Sequence, residues 1–218
     1  MKLFRSVLAV TFLAFAVPAS ADVIVLDFEG IADQNPVGNF YNGGGGTNYG
    51  IDFSPATLAL IDADAGGNGN FANEPSPDTI MFFLDANNAI LNFASGFDTG
   101  FSFFYTSSTA ATVTVYDAIG GAGNILGTLT LLAQYNNQCA GDPNGAFCNW
   151  SPVGVAFAGT ARSIEFGGTA SQTGFDDITF GSVNPGEGVT EVPEPATLLT
   201  LGMGLAAVVR RRLKTSRR

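Results

Sequence analysis

Thr112-Val113-Thr114-Val115-Tyr116-Asp117 alternates polar and apolar side chains, so an extended chain there puts Val113 and Val115 on one face and Thr112 and Thr114 on the other. Val153, Val155 and Phe157 share a face in the same way, and Ile164 and Phe166 repeat the pattern. Working outward, short segments rich in β-branched and aromatic residues, punctuated by Gly, Asn, Asp and Pro, cover 23–28, 50–53, 57–61, 79–84, 89–93, 100–106, 112–117, 125–132, 153–158, 163–166 and 176–180. No heptad repeat and no amphipathic helix of useful length interrupts them.

Short strands with a turn signal every ten or so residues predict an all-β domain over residues 22–180, a jelly-roll-type β-sandwich of two antiparallel sheets. The 19 Phe of the chain are spread widely enough to fill one inter-sheet core. No linker is seen before Gly181, so one domain suffices.

Charge is segregated. Lys2 and Arg5 stand near the start and six of the nine basic residues follow Val209, leaving Arg162 alone between, while all 19 acidic residues lie between Asp22 and Glu194. With both ends removed the body carries 1 − 19 = −18 charges, against −10 for the whole chain. Such a field repels phosphate backbones, so nucleic acid is excluded as a partner. The chain has no His, which removes Ser-His-Asp and Cys-His chemistry and imidazole metal ligands, and no interior Lys, which removes Schiff-base nucleophiles and P-loops.

Both ends read as addresses. Lys2 and Arg5, the apolar run Val7 to Val17 and the small-x-small site Ala19-Ser20-Ala21 predict a secretory signal helix over 1–21, cut by signal peptidase after Ala21. As a helix that apolar run spans about 16 Å, too short for a hydrocarbon core of roughly 30 Å. At the other end a polar spacer, 181–191, leads to Val192-Pro193-Glu194-Pro195, an uncharged run from Ala196 to Val209 and the basic Arg210-Arg211-Arg212-Leu213-Lys214. The apolar run predicts a C-terminal hydrophobic helix of about 21 Å, marginal as a permanent span, whose basic end stays in the cytoplasm.

That three-part ending, 192–214, resembles the PEP-CTERM sorting tail of bacterial exoproteins, with Pro193, Glu194 and Pro195 matching its motif. The resemblance implies an exosortase-type membrane transpeptidase as partner, a transient membrane anchor, and a final place at the cell surface or in the extracellular matrix of a Gram-negative-type bacterium. The body as a whole resembles the β-sandwich exoproteins that carry this tail.

Export makes the surroundings oxidising, so Cys139 and Cys148, the chain's two cysteines, are expected to form a disulfide around the turn-rich Asp142-Pro143-Asn144-Gly145. Asp62-Ala63-Asp64-Ala65-Gly66 alternates acids before glycines but departs from an EF-hand at its fifth and twelfth positions, Gly66 and Asn73, and reads as a plain loop. The Gly-rich stretch from Asn39 to Asn48 lacks the Lys of a phosphate cradle and reads as a mobile loop.

Asp27-Phe28-Glu29-Gly30 closes the first strand and Gly174-Phe175-Asp176-Asp177-Ile178 opens the last. The pairing resembles sugar-binding jelly rolls of the carbohydrate-binding-module and galactose-binding-like kind. The resemblance implies a structural calcium held by Glu29 and by Asp177 or Asp176. For ligands, Tyr41, Tyr49, Tyr135 and Trp150 are read as exposed rings for sugar stacking, and Tyr135, Asn136 and Asn137 share a loop suited to bonding hydroxyls. Trp150, beside Cys148, reads first as packing.

A glycosidase needs two facing carboxylates. Asp176 and Asp177 point to opposite faces of a strand and do not form that pair with each other, and Glu74, Asp85 or Glu165 would join only through an unseen contact. No catalytic residue is therefore assigned. Ice binding needs a flat Thr array, and Thr112/Thr114 and Thr128/Thr130 read as isolated pairs. The expectation is an exported, non-enzymatic protein associating with exopolysaccharide or biofilm matrix, with a purely structural surface protein and a polysaccharide hydrolase as the alternatives.

Overall fold

The structure, a computed structural model, describes residues 23–134, 139–140 and 145–186. The two terminal helices expected from the sequence, Ala19 and Ala21, Pro193 to Pro195, and Tyr135, Asn136 and Asn137 lie outside the described residues.

Every segment read as a strand forms one. In chain order they are β1 (Ile24–Leu26), β2 (Ile51–Phe53), β3 (Thr57–Ile61), β4 (Thr79–Phe83), β5 (Asn88–Phe97), β6 (Gly100–Ser107), β7 (Ala111–Tyr116), β8 (Ile125–Leu131), β9 (Ser151–Ala156), β10 (Ala161–Gly167) and β11 (Thr173–Phe180). They build two antiparallel sheets. One runs β3-β4-β11-β6-β9 with β1 added to β11, and the other runs β2-β5-β10-β7-β8. β5 outlasts its expected end at residue 93 because a bulge opposite Ala161–Ser163 takes up the extra residues, with Gly96 at φ +80°.

Alternation places the core. Val113, Val115, Ile164 and Phe166 of the five-stranded sheet face Phe101, Phe103, Phe175 and Phe180 of the other, all essentially without solvent contact. Rings meet edge to face, Phe166 on Phe175 at 4.9 Å and Phe97 on Phe180 at 4.8 Å. Such contacts add about 0.5–1.5 kcal/mol each to the area they bury.

One irregularity positions the site. β11 has β6 along one edge, but the other edge is shared: β4 meets it at Phe175 and β1 meets it at Ile178–Phe180. Asp176 and Asp177 fall in the gap, where the register with β6 shifts and Asp177 takes φ +48°. The chain leaving β1 and the chain entering β4 both arrive at that gap.

Candidate functional site

Glu29, just past β1, reaches across to the start of β4. Its Oε1 accepts from the backbone N–H groups of Asp78 at 2.9 Å and Thr79 at 2.8 Å, and its Oε2 accepts from Thr79 Oγ1 at 3.1 Å. Asp176, fully buried, accepts from Ser76 twice, N–H to Oδ2 and Oγ–H to Oδ1, both 2.8 Å, and from the Asp177 N–H at 2.7 Å. Ser76 thus stands between the two carboxylates. Its Oγ lies 2.8 Å from Asp176 Oδ1, 3.1 Å from Thr79 O, 3.2 Å from Asp27 O and 3.5 Å from Glu29 Oε1. All four are acceptors and the hydroxyl has one proton, so the cluster holds more lone pairs than donors.

Burial, reinforced by the neighbouring Asp177 charge, pushes the Asp176 carboxyl up to about 7, against the opposing pull of the Ser76 N–H. Asp177 is also raised, by burial first and by Asp27 second. Its side chain goes elsewhere: Asp177 Oδ2 faces Gly186, where an added Cβ would sit 3.0 Å away.

The calcium expectation named Glu29, Asp176 and Asp177, and the first two meet around Ser76 while Asp177 does not join them. Among the described residues no three carboxylates converge as metal ligands. The donor set that does converge, two carboxylates, two main-chain carbonyls and a hydroxyl, is of the hard-oxygen type that suits calcium, and its shortage of protons is what a cation would relieve. Asp27 O, Ser76 and Thr79 O were not read from sequence. Ser76-Pro77-Asp78 carries a turn signal before β4, but nothing in it points to β11.

Beside this cluster a cleft of about 1000 Å³ opens between 25–37 and 39–49. Asp27 and Glu29 lie on its wall, with Asn35, Asn39 and Thr47 as neutral polar groups and Phe40 and Tyr49 as partly exposed rings. The Gly-rich stretch is not the free loop expected. Phe40–Asn42 forms a helical turn and Gly45 and Gly46 lie flat on the Phe40 ring, where a Cβ would come within 2.9 and 2.5 Å of ring carbons. The cleft wall therefore requires glycine at these positions.

Tyr41 corrects the sequence reading of an exposed ring. It is buried under Phe28 and Phe40, its hydroxyl accepts from the Phe28 N–H at 2.7 Å, and burial pushes the phenol far up. Its role is to brace Phe28, which holds φ +63° where the chain turns from Asp27 to Glu29. Tyr49 stacks on Tyr41 and is among the residues that line the cleft.

Trp150 packs. Its Nε1–H donates to Ala72 O at 3.1 Å and its ring meets Phe71 edge to face at 6.2 Å. The Cys139–Cys148 disulfide forms with Cα atoms 5.3 Å apart. The 62–70 loop is closed by its own backbone, Gly67 and Ala65 N–H on Asp62 O and Gly69 N–H on Ile61 O, as a plain loop should be.

Glu165, on the outer face of β10, accepts from Asn88 Nδ2 at 2.8 Å and Tyr116 Oη at 3.1 Å. Beside it the two threonine pairs prove to be neighbours, Thr112 opposite Thr130 and Thr114 opposite Thr128. They are one patch of four, not isolated pairs. Strand register, invisible in the sequence, brings them together. Glu74, half-buried, has its carboxyl pushed up to about 7, by burial first and by Asp62, Asp78 and Glu29 after it.

Residues 191–213 match the PEP-CTERM protein-sorting motif. The chain therefore carries a sorting tail behind a two-sheet β-sandwich, and the motif implies an exported, exosortase-processed cell-surface protein. No curated protein matches it by sequence. Among solved structures the sandwich is similar to a family 6 carbohydrate-binding module, at 13% identity over 72% of this chain and 92% of that one, with a TM-score of 0.36. It is similar also to the module CBM6cm-2 of Cellvibrio mixtus lichenase 5A, solved with cellotriose, at 12% identity over 73% and 96%, TM-score 0.36. The K1 cleaved adhesin domain of Lys-gingipain from Porphyromonas gingivalis W83 is similar at 12% identity over 73% and 98%, TM-score 0.40. These likenesses concern the layout of the sheets.

Proposed function

We propose that this protein is a non-enzymatic binder of neutral extracellular polysaccharide, placed at the cell surface or in the matrix by its sorting tail, with the apolar run 196–209 as a transient membrane anchor. The observation that carries the reading is the open cleft between 25–37 and 39–49, where neutral amide and hydroxyl groups stand beside aromatic rings. Sugar rings stack on aromatic faces while Asn and Thr bond hydroxyls. The strongly acidic body disfavours anionic glycans.

A structural calcium belongs to this proposal. Glu29, Asp176, Asp27 O, Thr79 O and Ser76 would hold it, and bound there it would neutralise two carboxylates and fasten the ends of β1 and β4 to β11. Glu29 lines the cleft as well, so the same tie would fix one cleft wall. The test is a screen of neutral and acidic glycans against the folded chain in calcium, with Tyr49→Ala and Asn39→Ala alongside. Binding of a neutral glycan that both substitutions weaken tenfold or more supports the reading. Silence across the screen favours the purely structural surface protein.

The hydrolase alternative has one observation in its favour, Glu74, whose carboxyl, raised to about 7, would stay partly protonated near neutral pH as a general acid does. It requires a second carboxylate facing Glu74, and that Glu74→Gln and the substitution of that partner each abolish the release of reducing sugar while the protein stays folded.

A further inference from the structure

Five strands carry a sheet edge that no other strand pairs, and four of them are guarded: β1, which pairs with β11 alone, is only three residues long. β3 is covered by 34–37, with Gln34 N–H on Ala59 O at 2.8 Å, Ala59 N–H on Asn35 O at 2.9 Å and Val37 N–H on Thr57 O at 3.0 Å. β2 is three residues long and its Phe53 N–H is taken by Gly38 O at 2.8 Å. β9 carries Pro152, which has no N–H to offer.

β8 has none of these guards. It is seven residues long, has no proline and no charge, and pairs with β7 alone; among the described residues no backbone group bonds its outer edge. Ile125 and Leu132, at its two ends, are 62% and 69% exposed. Alongside, Gly127 lets the sheets close on each other, an added Cβ there lying 2.9 Å from Val155. Leu126 and Leu129 of β8, with Val153, Val155 and Phe157, are only partly covered there, forming an apolar seam down one side of the sandwich. Neither 125–132 nor 151–158 holds an ionisable side chain, in a body of −18 charges.

We propose that β8 is the contact through which two copies of this protein join edge to edge, running their five-stranded sheets into one across a two-fold axis. A free antiparallel edge is complementary to itself about such an axis, each strand offering the other its unpaired N–H and C=O groups. Charge selects the occupant. The acidic body repels its own kind, and along this seam that repulsion has no local source, so a second copy meets neutral apolar surface with neutral apolar surface. A pair would carry two glycan clefts, raising avidity for a repeating polymer, although the contact itself does not depend on glycan binding.

The test is sedimentation of the full chain in mild detergent, without glycan, from low to high micromolar concentration. Wild type is expected to form a reversible dimer. The double variant Thr128→Lys/Thr130→Lys, which puts like charges side by side at the joint while lowering the net negative charge, is expected to dimerise at least tenfold more weakly. Association through the apolar tail would be indifferent to it. Thr128→Cys, exported under oxidising conditions, is expected to give a covalent dimer on non-reducing gels, and this variant decides the matter should the double variant misfold. A monomeric wild type, or a dimer untouched by the lysines together with no covalent dimer from Thr128→Cys, overturns the proposal.

Discussion

Glu29 and Asp176 accept hydrogen bonds from the same short segment, Ser76 to Thr79, and so tie the exit of β1, the entry of β4 and the middle of β11 into one knot. Ser76 is 47 residues from Glu29 and 100 from Asp176, which makes the knot a purely tertiary feature. Its consequences are specific enough to measure.

Glu29→Ala removes the acceptor of the Asp78 and Thr79 N–H groups, and a buried donor left unbonded costs about 1–3 kcal/mol. The melting temperature should fall by roughly 5 °C or more. Asp177→Asn, which removes the charge of a side chain outside the knot and tolerates the φ of +48° there, should have a clearly smaller effect. Thermal unfolding of the two variants side by side checks this, and equal losses would contradict the arrangement.

In chelator, stability should fall as pH rises. Asp176 and Glu74 have folded-state values near 7, above the ordinary carboxylate range near 4. Below about 4 both states hold these protons and nothing is lost; between about 4 and 7 the unfolded chain releases them while the folded chain must keep them or ionise at a cost. Unfolding at pH 5 and pH 7.5 in EDTA should differ by roughly 5 °C or more, with the lower value at pH 7.5. Asp176→Asn should remove a good part of the difference.

Gly46→Val puts a side chain where the Phe40 ring lies, 2.5 Å from its carbon. The ring must shift and the cleft wall with it, at about 1–3 kcal/mol. Affinity for the glycan found by screening should drop at least tenfold in isothermal titration. Gly38, with open space around it, is a poor control because its φ is +46°, so Thr47→Ser serves instead and should leave affinity nearly unchanged.

Replacing both Cys139 and Cys148 with Ala should lower stability by about 2–3 kcal/mol, since a loop so short gains modestly from closure. Glycan affinity should survive, because the disulfide is not among the residues lining the cleft. A parallel loss of binding would move the ligand site toward Trp150.

The strands were legible because alternation is local: Thr112 to Asp117 and Ser163 to Phe166 announce their buried faces in a few residues. Glu29 and Asp176 were legible for a different reason, by resemblance of short acidic motifs at the two ends of the body. Ser76 was not, since a serine in a Ser-Pro-Asp turn looks alike wherever the turn docks. Tyr41 misled because burial depends on Phe28 and Phe40 closing over it, contacts that no spacing encodes. The threonine patch failed for the same physical reason, as a one-residue change in the register of β7 and β8 would have put those side chains on the core face.

The calcium claim is the hinge of the account, since one ion would join the sandwich's stability to the shape of its cleft. The direct measurement is a calorimetric titration of calcium into chelator-stripped protein at pH 7.5, for wild type and Asp176→Asn. The account predicts one site per chain, a melting temperature that rises on saturation, and loss of both in the variant. Absence of calcium heat and of any thermal shift in wild type, or identical binding in Asp176→Asn, would contradict it.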